Sequence, residues 1–270
     1  MRSRVSEVVA HFSQRAAGYA EQENWVNDTE TLLPIVRLLQ QKPGGIVMDI
    51  GAGTGAVASA SVSRSLSGDK FIGVDVAHSM LLQHARYSPV VVGDAHSLPF
   101  ADSHADIVVC RQSIHYFDFP DVVLAEIKRV LAFDGQLLIA QIVPFDNPED
   151  QEWWKTAVTL RQPLRRHRWT GAELVESVRR AGFIIESIQD LRRRTSMKGW
   201  LDRYPLNSDA RQKLLDHFGS TPSSVRQVRD FSVIGDTIEY TLRWIFITAR
   251  LSDAVSPPDT EAPDDVVPGG

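Results

Sequence analysis

The sequence predicts a doubly wound α/β fold with a mostly parallel sheet of seven strands and a small helical cap inserted before the last strand. Three observations predict it. From residue 46 onward, short and near-continuously apolar segments alternate with helical segments, as parallel strands do when helices cover both faces of the sheet. A glycine-rich turn follows the first apolar segment. After Pro144 the alternation is interrupted for a long stretch before a final apolar strand over 240–250.

The first 45 residues predict helices that precede the sheet. One helix face carries apolar residues at helical spacing, namely Val5, Val8, Val9 and Phe12. A second helix can be capped by Asp28 or Thr29, and Pro43-Gly44-Gly45 ends it.

The alternating region predicts five strands, which are 46–50, 70–76, 90–93, 106–110 and 136–142. The helical segments between them are 55–66, 78–86 and 119–132, while the connection over 93–106 lacks a full helix. After the Pro-rich turns of 144–169, the pattern predicts a helix over 171–181 that Thr170 caps, a strand over 183–189, a helix over 207–218 and the strand over 240–250.

The composition is that of an ordinary globular protein, with 43% hydrophobic and 23% charged residues among 270. No apolar run approaches the roughly 20 residues that cross a bilayer, and the N-terminus lacks the apolar core of a secretion signal. We therefore expect a cytoplasmic protein without membrane insertion. The single cysteine, Cys110, excludes internal disulfides and thiolate-rich metal sites, and no cluster has metal-ligand spacing, so no metal is expected.

Positive charge is concentrated in one part of this acidic chain. The segment from Arg161 to Lys213 contains 13 Lys and Arg residues against six Asp and Glu, although the whole chain has a formal net charge of −5. Such a segment indicates either an anionic partner or a solvated, salt-bridged surface. It lacks the aromatic–basic interleaving of single-strand binders, so nucleic acid is a disfavoured partner.

The glycine turn, Asp49-Ile50-Gly51-Ala52-Gly53-Thr54-Gly55, lies where the first strand meets its helix. Glycines there permit a tight turn and a close approach of the backbone to a ligand. The pattern also fits a dinucleotide fingerprint. Asp49 favours a sulfonium cofactor instead, because its carboxylate can pair with an amino-acid ammonium and would repel a pyrophosphate. No Tyr-x-x-x-Lys pair is present, so the short-chain dehydrogenase interpretation lacks its acid–base pair.

Carboxylates follow three successive predicted strands. Asp75 closes the second strand, where it can accept hydrogen bonds from both hydroxyls of a ribose. Asp94 follows the third strand, where it can accept from the exocyclic amine of adenine. Each Asp alone could cap a helix or a turn, but three in succession indicate a nucleoside ligand.

The stretch from about 46 to 143 resembles the class I S-adenosylmethionine-dependent methyltransferases, and particularly the small-molecule group similar to the ubiquinone/menaquinone C-methyltransferases. The resemblance is carried by VMDIGAGTG, GVDVAHSML, GDAHSLPFADSHADIVVCRQSIHYF and DVVLAEIKRVLAFDGQLLIA. FSQRAAGYA at 12–20 is similar to the segment that closes over the cofactor in such enzymes.

The resemblance implies S-adenosylmethionine as cofactor, with S-adenosylhomocysteine as product. Carried over by position, it implies Asp49, Gly51, Gly53 and Gly55 around the amino-acid part and Asp75 at the ribose. It also implies that Val76 and Met80 flank the adenine, with Asp94 and Ala95 at its edge. By the same resemblance, Arg111 lines the sulfonium side and Tyr19 lies near the methionine end. The chain then divides into an N-terminal cofactor lid (1–45), a cofactor-binding core (46–143), C-terminal strands with a substrate cap (144–250) and a disordered tail (251–270).

Methyl transfer needs a general base only when the acceptor must lose a proton. His115, after the fourth strand, is the candidate base, and a structural or substrate-positioning role is the alternative. Tyr116 is either core or a wall of the acceptor pocket. The remaining candidates for binding an acidic acceptor are Arg165, His167 and Arg168, with a solvated surface as the alternative. His96 and His104 are assigned to the loop surface.

The predicted function is transfer of a methyl group to C, O or N of a small, anionic or aromatic acceptor. The alternatives are an NAD(P)-dependent oxidoreductase, which Asp49 and the missing proton donor disfavour, and a non-methylating relative that binds the cofactor or RNA.

Overall fold

The computed structural model describes residues 4–22, 25–62 and 70–252. The strands in this part of the chain are β1 (Ile46–Ile50), β2 (Lys70–Asp75), β3 (Val90–Val92), β4 (Ala105–Arg111), β5 (Leu131–Val143), β6 (Phe183–Ser196), β7 (Ser232–Ile234) and β8 (Thr237–Leu251). The helices are α1 (Arg4–Arg15), α2 (Tyr19–Gln22), α3 (Thr29–Gln41), α4 (Ala56–Val62), α5 (His78–His84), α6 (Pro120–Val130), α7 (Pro148–Arg161), α8 (Gly171–Arg180), α9 (Met197–Asp202), α10 (Ser208–Gly219) and α11 (Ser223–Val228).

The strands form one sheet in the order β3-β2-β1-β4-β5-β8-β6, with the short β7 paired to β8. Strands β1 to β5 are parallel where they are neighbours, and β8 runs antiparallel to both β5 and β6. The predicted fold class is therefore confirmed. The order reverses direction at β1, which lies between β2 and β4, and ligands of open α/β sheets bind at such a switch point.

Both faces of the sheet are buried at its central strands. Val108 and Val109 are adjacent on β4 and therefore point to opposite faces, and both are fully buried. One apolar layer includes Val108 with α6 and α8, and the other includes Val109 with α3 and α4. This double burial explains why the strands are nearly continuous apolar runs.

Several predicted boundaries differ from the structure. The helix over 119–132 ends at Val130, because β5 already begins at Leu131 and pairs there with Ala105 before the register shifts. The strand over 183–189 continues to Ser196, because β8 pairs with β6 along its whole length. Of the helix over 55–66, residues 56–62 are helical and 63–66 lie outside the described residues. The tail over 251–270 also lies outside them from residue 253 on, while Leu251 ends β8.

The cap contains more helix than the sequence predicts. Helices α9, α10 and α11 lie between β6 and β8, as an inserted cap requires. They pack on α7, which lies in the segment where the sequence predicts only turns. Helix α7 buries Trp153, Trp154, Ala157 and Val158 at helical spacing, but Asp150 and Arg161 are buried on the same face. These two charged residues weaken the apolar pattern by which the helix could be recognised.

Candidate functional site

The glycine turn after β1 adopts a conformation that only glycine adopts readily. Gly51 and Gly53 have φ of 71° and 55°, and a Cβ on Gly51 would lie 2.3 Å from Cβ of Ser113. The N–H groups of Gly51 and Ala52 both donate to the carbonyl of Val74, at 2.8 and 3.1 Å. The turn is thereby held across the tips of β1 and β2.

Gly55, the last glycine of the turn, packs against helix α5. It does not line the cleft described below. Its φ is 84°, and a Cβ there would lie 2.8 Å from the His84 ring. The structure therefore places Gly55 where it makes room for a buried histidine of α5.

A cleft of about 1120 Å³ opens at the carboxyl ends of β1 to β4, beneath α1. We call it the acidic cleft, because Asp49, Asp75 and Asp94 line it. The other predicted cofactor residues that line it are Tyr19, Gly51, Gly53, Val76, Met80, Ala95 and Arg111. The structure thus brings together every predicted cofactor residue except Gly55.

Asp75 is held by the backbone around it. Its Oδ2 accepts from the N–H of Gly53 at 3.0 Å and its Oδ1 from the N–H of Ala77 at 2.8 Å. Burial raises the pKa of this carboxyl, and these backbone donors oppose the rise. Each oxygen still has acceptor capacity, since a carboxylate offers about four lone-pair positions.

Asp94 contacts His96, which the sequence assigns wrongly to the loop surface. The Oδ1 of Asp94 accepts from the backbone N–H of His96 at 3.0 Å and lies 2.6 Å from its Nδ1. The His96 ring lies near Phe117 and Phe119 and lines the acidic cleft. A histidine in a turn-rich loop gives no sequence signal for this position. His104 stacks on Phe100, with ring centroids 5.3 Å apart.

Asp49 is almost fully buried, and burial raises its pKa to about 7. The positive charge of Arg111 opposes the rise, and Asp75 adds to it. A cation placed beside Asp49 would stabilise its charged form. The end of β1 is therefore suited to a ligand that brings an ammonium group.

Arg111, at the end of β4, ties the segment before α3 to the sheet. Its guanidinium donates to the carbonyls of Val26 at 3.1 Å and Trp25 at 2.6 Å, and to Oγ1 of Thr31 at 2.8 Å. It also lies over the ring of Trp25, 4.9 Å from the centroid. Arg111 therefore lines the cleft and also positions one of its walls.

The N-terminal helix reaches across the site to the cap. The Phe12 ring packs edge-on against Tyr116, 5.2 Å away. Arg15 lies between the rings of Tyr19 and Tyr204 and donates to the carbonyl of Arg203 at 3.0 Å. Helix α1 therefore contacts residues on both sides of the site.

A second cavity of about 830 Å³ lies between the sheet and α7. We call it the arginine cavity, because its lining includes Arg161, Arg165, Arg193, Arg194 and Arg203. The lining that it shares with the acidic cleft is Tyr19, Trp25, Gln112 and Tyr116, and we call these four residues the junction.

The arginines of this cavity differ in how their charge is balanced. Arg193 forms ion pairs with Asp28 at 2.6 Å and Glu30 at 2.5 Å. The guanidinium of Arg194 donates to the carbonyl of Asp230 and to Ser232, away from Asp28, as expected for neighbours on a strand. Buried Arg165 donates to neutral oxygens of His167, Gln162 and Ile142.

The predicted acceptor-binding residues are only partly brought together. Tyr116 lies at the junction and Arg165 lines the arginine cavity, but His167 and Arg168 line neither space. His167 stacks on Trp169 and its Nε2 lies 3.0 Å from the carbonyl of Phe117. Arg168 donates to the carbonyl of Arg166 at 3.4 Å.

His115 lines the arginine cavity and is 2% exposed. Its Nδ1 lies 3.0 Å from Oε1 of Gln141 on β5. Burial and the charge of Arg165 hold its pKa well below the usual value, so the ring is neutral at physiological pH. Gln141 was not anticipated from the sequence, since a single Gln inside an apolar strand gives no functional signal.

Among the described residues, no three His, Cys, Asp or Glu side chains form a group that could hold a metal ion. The helices in the same part of the chain include none with the length and apolar character of a membrane span.

Residues 48–139 match the family model described as a methyltransferase domain. YcgJ of Bacillus subtilis, described as an uncharacterized methyltransferase, is 24% identical over 249 residues, which cover 87% of this chain and 96% of that protein. Its crystal structure aligns with a TM-score of 0.75 at 22% identity, over 84% of this chain and 100% of that chain. The structural likeness shows the shared fold.

A ubiquinone/menaquinone biosynthesis C-methyltransferase, UbiE of Paraburkholderia phytofirmans, is 31% identical over 107 residues. The match covers 37% of this chain and 44% of that protein. The aligned region therefore spans less than half the length of this relative.

Proposed function

We propose that this chain, which carries an S-adenosylmethionine-dependent methyltransferase domain, transfers the methyl group of that cofactor to a small anionic acceptor bound in the arginine cavity. The observation that carries the proposal is the meeting of two spaces of opposite charge at the junction residues Tyr19, Trp25, Gln112 and Tyr116. An acidic cleft suits a cationic cofactor, and an arginine-lined cavity suits an anion.

The residues of the acidic cleft fit the cofactor. Buried Asp49 suits its ammonium group, and Asp75 suits its ribose hydroxyls. The apolar side chains of Val76, Met80 and Ala95 line the same cleft and suit a flat base. The glycine turn leaves room for a ligand beside the backbone, because no Cβ projects from Gly51 or Gly53.

When bound, the cofactor supplies an activated methyl group on a positively charged sulfur. The protein positions the acceptor and excludes water from the site. Two of the junction residues are held in place, since Arg111 donates to the carbonyl of Trp25 and the Phe12 ring packs on Tyr116. Arg165 provides a buried positive charge for the acceptor, since its hydrogen bonds within the described residues go to neutral oxygens.

The alternatives from the sequence are less well supported. A pyrophosphate at the glycine turn would lie beside Asp49, whose carboxylate would repel it, which opposes an NAD(P) cofactor. The arginine cavity is a local pocket between α7 and the sheet, whereas nucleic acid requires an extended basic surface.

The acceptor class can be tested with methyl-labelled cofactor and a panel of small carboxylic acids, each paired with its neutral amide. We expect label to appear in acids and to be absent from the amides. Arg165→Met should lower kcat/KM for the acids by roughly ten-fold or more, as for the loss of a charge-assisted contact. Arg180→Met, on the exposed side of α8, is the matched control. Label in the amides, unaffected by Arg165→Met, would contradict an anionic acceptor.

The affinity for S-adenosylhomocysteine should increase with pH between about 5 and 7. In this range the ligand's amino group stays charged, while Asp49, whose pKa is raised to about 7, changes from neutral to anionic. Up to ten-fold per pH unit is expected below the pKa of Asp49. Calorimetric titration across this range measures it, and the Asp49→Asn variant should bind weakly with little pH dependence. A flat profile for the unaltered protein would remove Asp49 as the ammonium partner.

The raised pKa of Asp49 also makes the protein without ligand less stable as the pH rises, whereas its affinity for the ligand increases with pH. The folded chain keeps the Asp49 proton up to about pH 7, whereas the unfolded chain releases it near 3.8. The contribution of Asp49 to the free energy of unfolding therefore decreases as the pH rises from 3.8 to about 7. Without ligand, Asp49→Asn is expected to raise Tm at pH 8 and to leave it nearly unchanged at pH 4.

A further inference from the structure

We infer that the acceptor presents a hydroxyl group to Nε2 of His115, so that the substrate class is a small hydroxy acid methylated on that hydroxyl oxygen, with Gln141 as the positioning residue. This inference rests on the proposed function, because it assigns the acceptor to the arginine cavity. It adds which nucleophile the acceptor carries and which side chain receives its proton.

The hydrogen bonds of Gln141 determine which nitrogen of His115 carries the proton. The Nε2 of Gln141 donates to the carbonyl of Ile142 at 3.1 Å. This orients the amide so that Oε1 faces Nδ1 of His115 at 3.0 Å. An amide oxygen only accepts hydrogen bonds, so Nδ1 carries the proton and Nε2 has the free lone pair.

The Nε2 atom is buried and has no hydrogen-bond partner among the described residues. His115 lines the arginine cavity, so a ligand in that cavity lies beside this residue. A buried acceptor atom without a partner is unfavourable. The ligand group that meets it must therefore be a donor, which a carboxylate is not.

The charges around His115 select a hydroxyl over an amine. Arg165 and His167 are the titratable groups whose charge acts on it, and the Tyr116 ring lies 4.3 Å away. An amine is protonated at neutral pH and would be repelled by the arginines of the cavity. A neutral hydroxyl avoids this repulsion, while the carboxylate of the same molecule pairs with the arginines.

Methyl transfer to the acceptor hydroxyl breaks one bond and forms another. The C–S bond of the sulfonium breaks as the acceptor oxygen forms the new C–O bond, and the electron pair of C–S stays on sulfur. The hydroxyl proton moves to Nε2 of His115 as the sulfonium loses its positive charge, so the total charge of the site does not rise. The imidazolium beside Arg165 is transient, and Gln141 accepts from its Nδ1–H. The products are S-adenosylhomocysteine, a methyl ether and a proton that His115 releases to solvent.

The first test measures the tautomer directly. Long-range ¹H–¹⁵N NMR of the imidazoles distinguishes Nδ1–H from Nε2–H, and His115→Gln identifies the His115 signal among the eight histidines. We expect a neutral Nδ1–H ring at pH 7 in protein loaded with S-adenosylhomocysteine. A ring that carries its proton on Nε2 would overturn the inference whatever the acceptor is.

The second test uses 2-, 3- and 4-hydroxybenzoate, benzoate and phenol as probes, titrated by calorimetry into the loaded protein. The best hydroxybenzoate should bind about five-fold more tightly than benzoate, as for one added hydrogen bond. Equal affinities would overturn the hydroxyl assignment. Phenol binding as tightly as the hydroxybenzoates, or no acid binding at all, would instead overturn the anionic acceptor on which the inference rests.

Variants of Gln141 separate positioning from a merely structural role. Gln141→Leu should mix the His115 tautomers and abolish the preference for hydroxybenzoate over benzoate. Gln141→Glu keeps an acceptor for Nδ1–H and adds a negative charge, so it should keep the preference and raise the pKa of His115 in the NMR titration. Gln136→Leu, on the same strand but near its exposed end, should leave both readouts unchanged. If Gln141→Leu also left them unchanged, Gln141 would not be the positioning residue.

Discussion

Replacing Asp150 by Ala should lower the free energy of unfolding by about 3–5 kcal/mol, the cost of leaving one partner of a buried ion pair without the other. Both side chains of the Asp150–Arg229 pair are fully buried, with Nε–Oδ1 at 2.5 Å and Nη2–Oδ2 at 2.9 Å. Oδ2 also accepts from the N–H of Phe145 at 2.7 Å. The pair therefore joins α7 to the segment between α11 and β7.

Denaturant unfolding of Asp150→Ala and of Asp146→Ala measures this effect. Asp146 is the matched control, because its side chain is 70% exposed in its ion pair with Arg243 and pairs at the surface contribute about 0–1 kcal/mol. Replacing both Asp150 and Arg229 by apolar residues should cost less than the sum of the single changes. A loss below about 1 kcal/mol for Asp150→Ala would contradict the role of this pair in holding the cap.

Asp75→Ala should weaken the binding of S-adenosylhomocysteine by at least ten-fold. Charge-assisted hydrogen bonds contribute about 1.5–3 kcal/mol each, and one such bond corresponds to roughly ten-fold or more in affinity. The change also leaves the N–H of Gly53 without its acceptor at 3.0 Å. The affinity of Asp75→Asn should lie between those of Asp75→Ala and the unaltered protein, because an amide oxygen can still accept from the N–H of Ala77.

Calorimetric titration gives the three affinities, and Asp134→Ala provides the control. Asp134 pairs with Lys42 at 2.7 Å on the surface and lines neither space, so its loss should leave the affinity unchanged. Binding by Asp75→Ala as tight as that of the unaltered protein would remove Asp75 from the ribose contact.

Much of the fold could be predicted because its signals are local. Double burial makes the strands near-continuous apolar runs, and Thr170 forms a capping box with Glu173 at the predicted start of α8. The residues of the acidic cleft could be predicted from the sequence for a related reason. The ends of adjacent parallel strands meet at one edge, so carboxylates that follow successive strands must lie close together.

The arginine cavity could not be predicted because its residues come from distant parts of the chain. Arg161 lies on α7, Arg193 on β6 and Asp28 before α3, and nothing in their spacing indicates that they meet. An arginine run also has the composition of a solvated surface. The hydrogen bond between His115 and Gln141 joins residues 26 positions apart, and only the sheet register brings them together.

A crystal structure with S-adenosylhomocysteine bound would show directly how the donor faces the acceptor. We expect its ammonium beside Asp49 and its ribose hydroxyls on Asp75. Its sulfur should face the junction of Tyr19, Trp25, Gln112 and Tyr116, open to the arginine cavity. A ligand whose sulfur pointed away from that junction, or which occupied the arginine cavity itself, would contradict the arrangement of donor and acceptor on which the proposed methyl transfer depends.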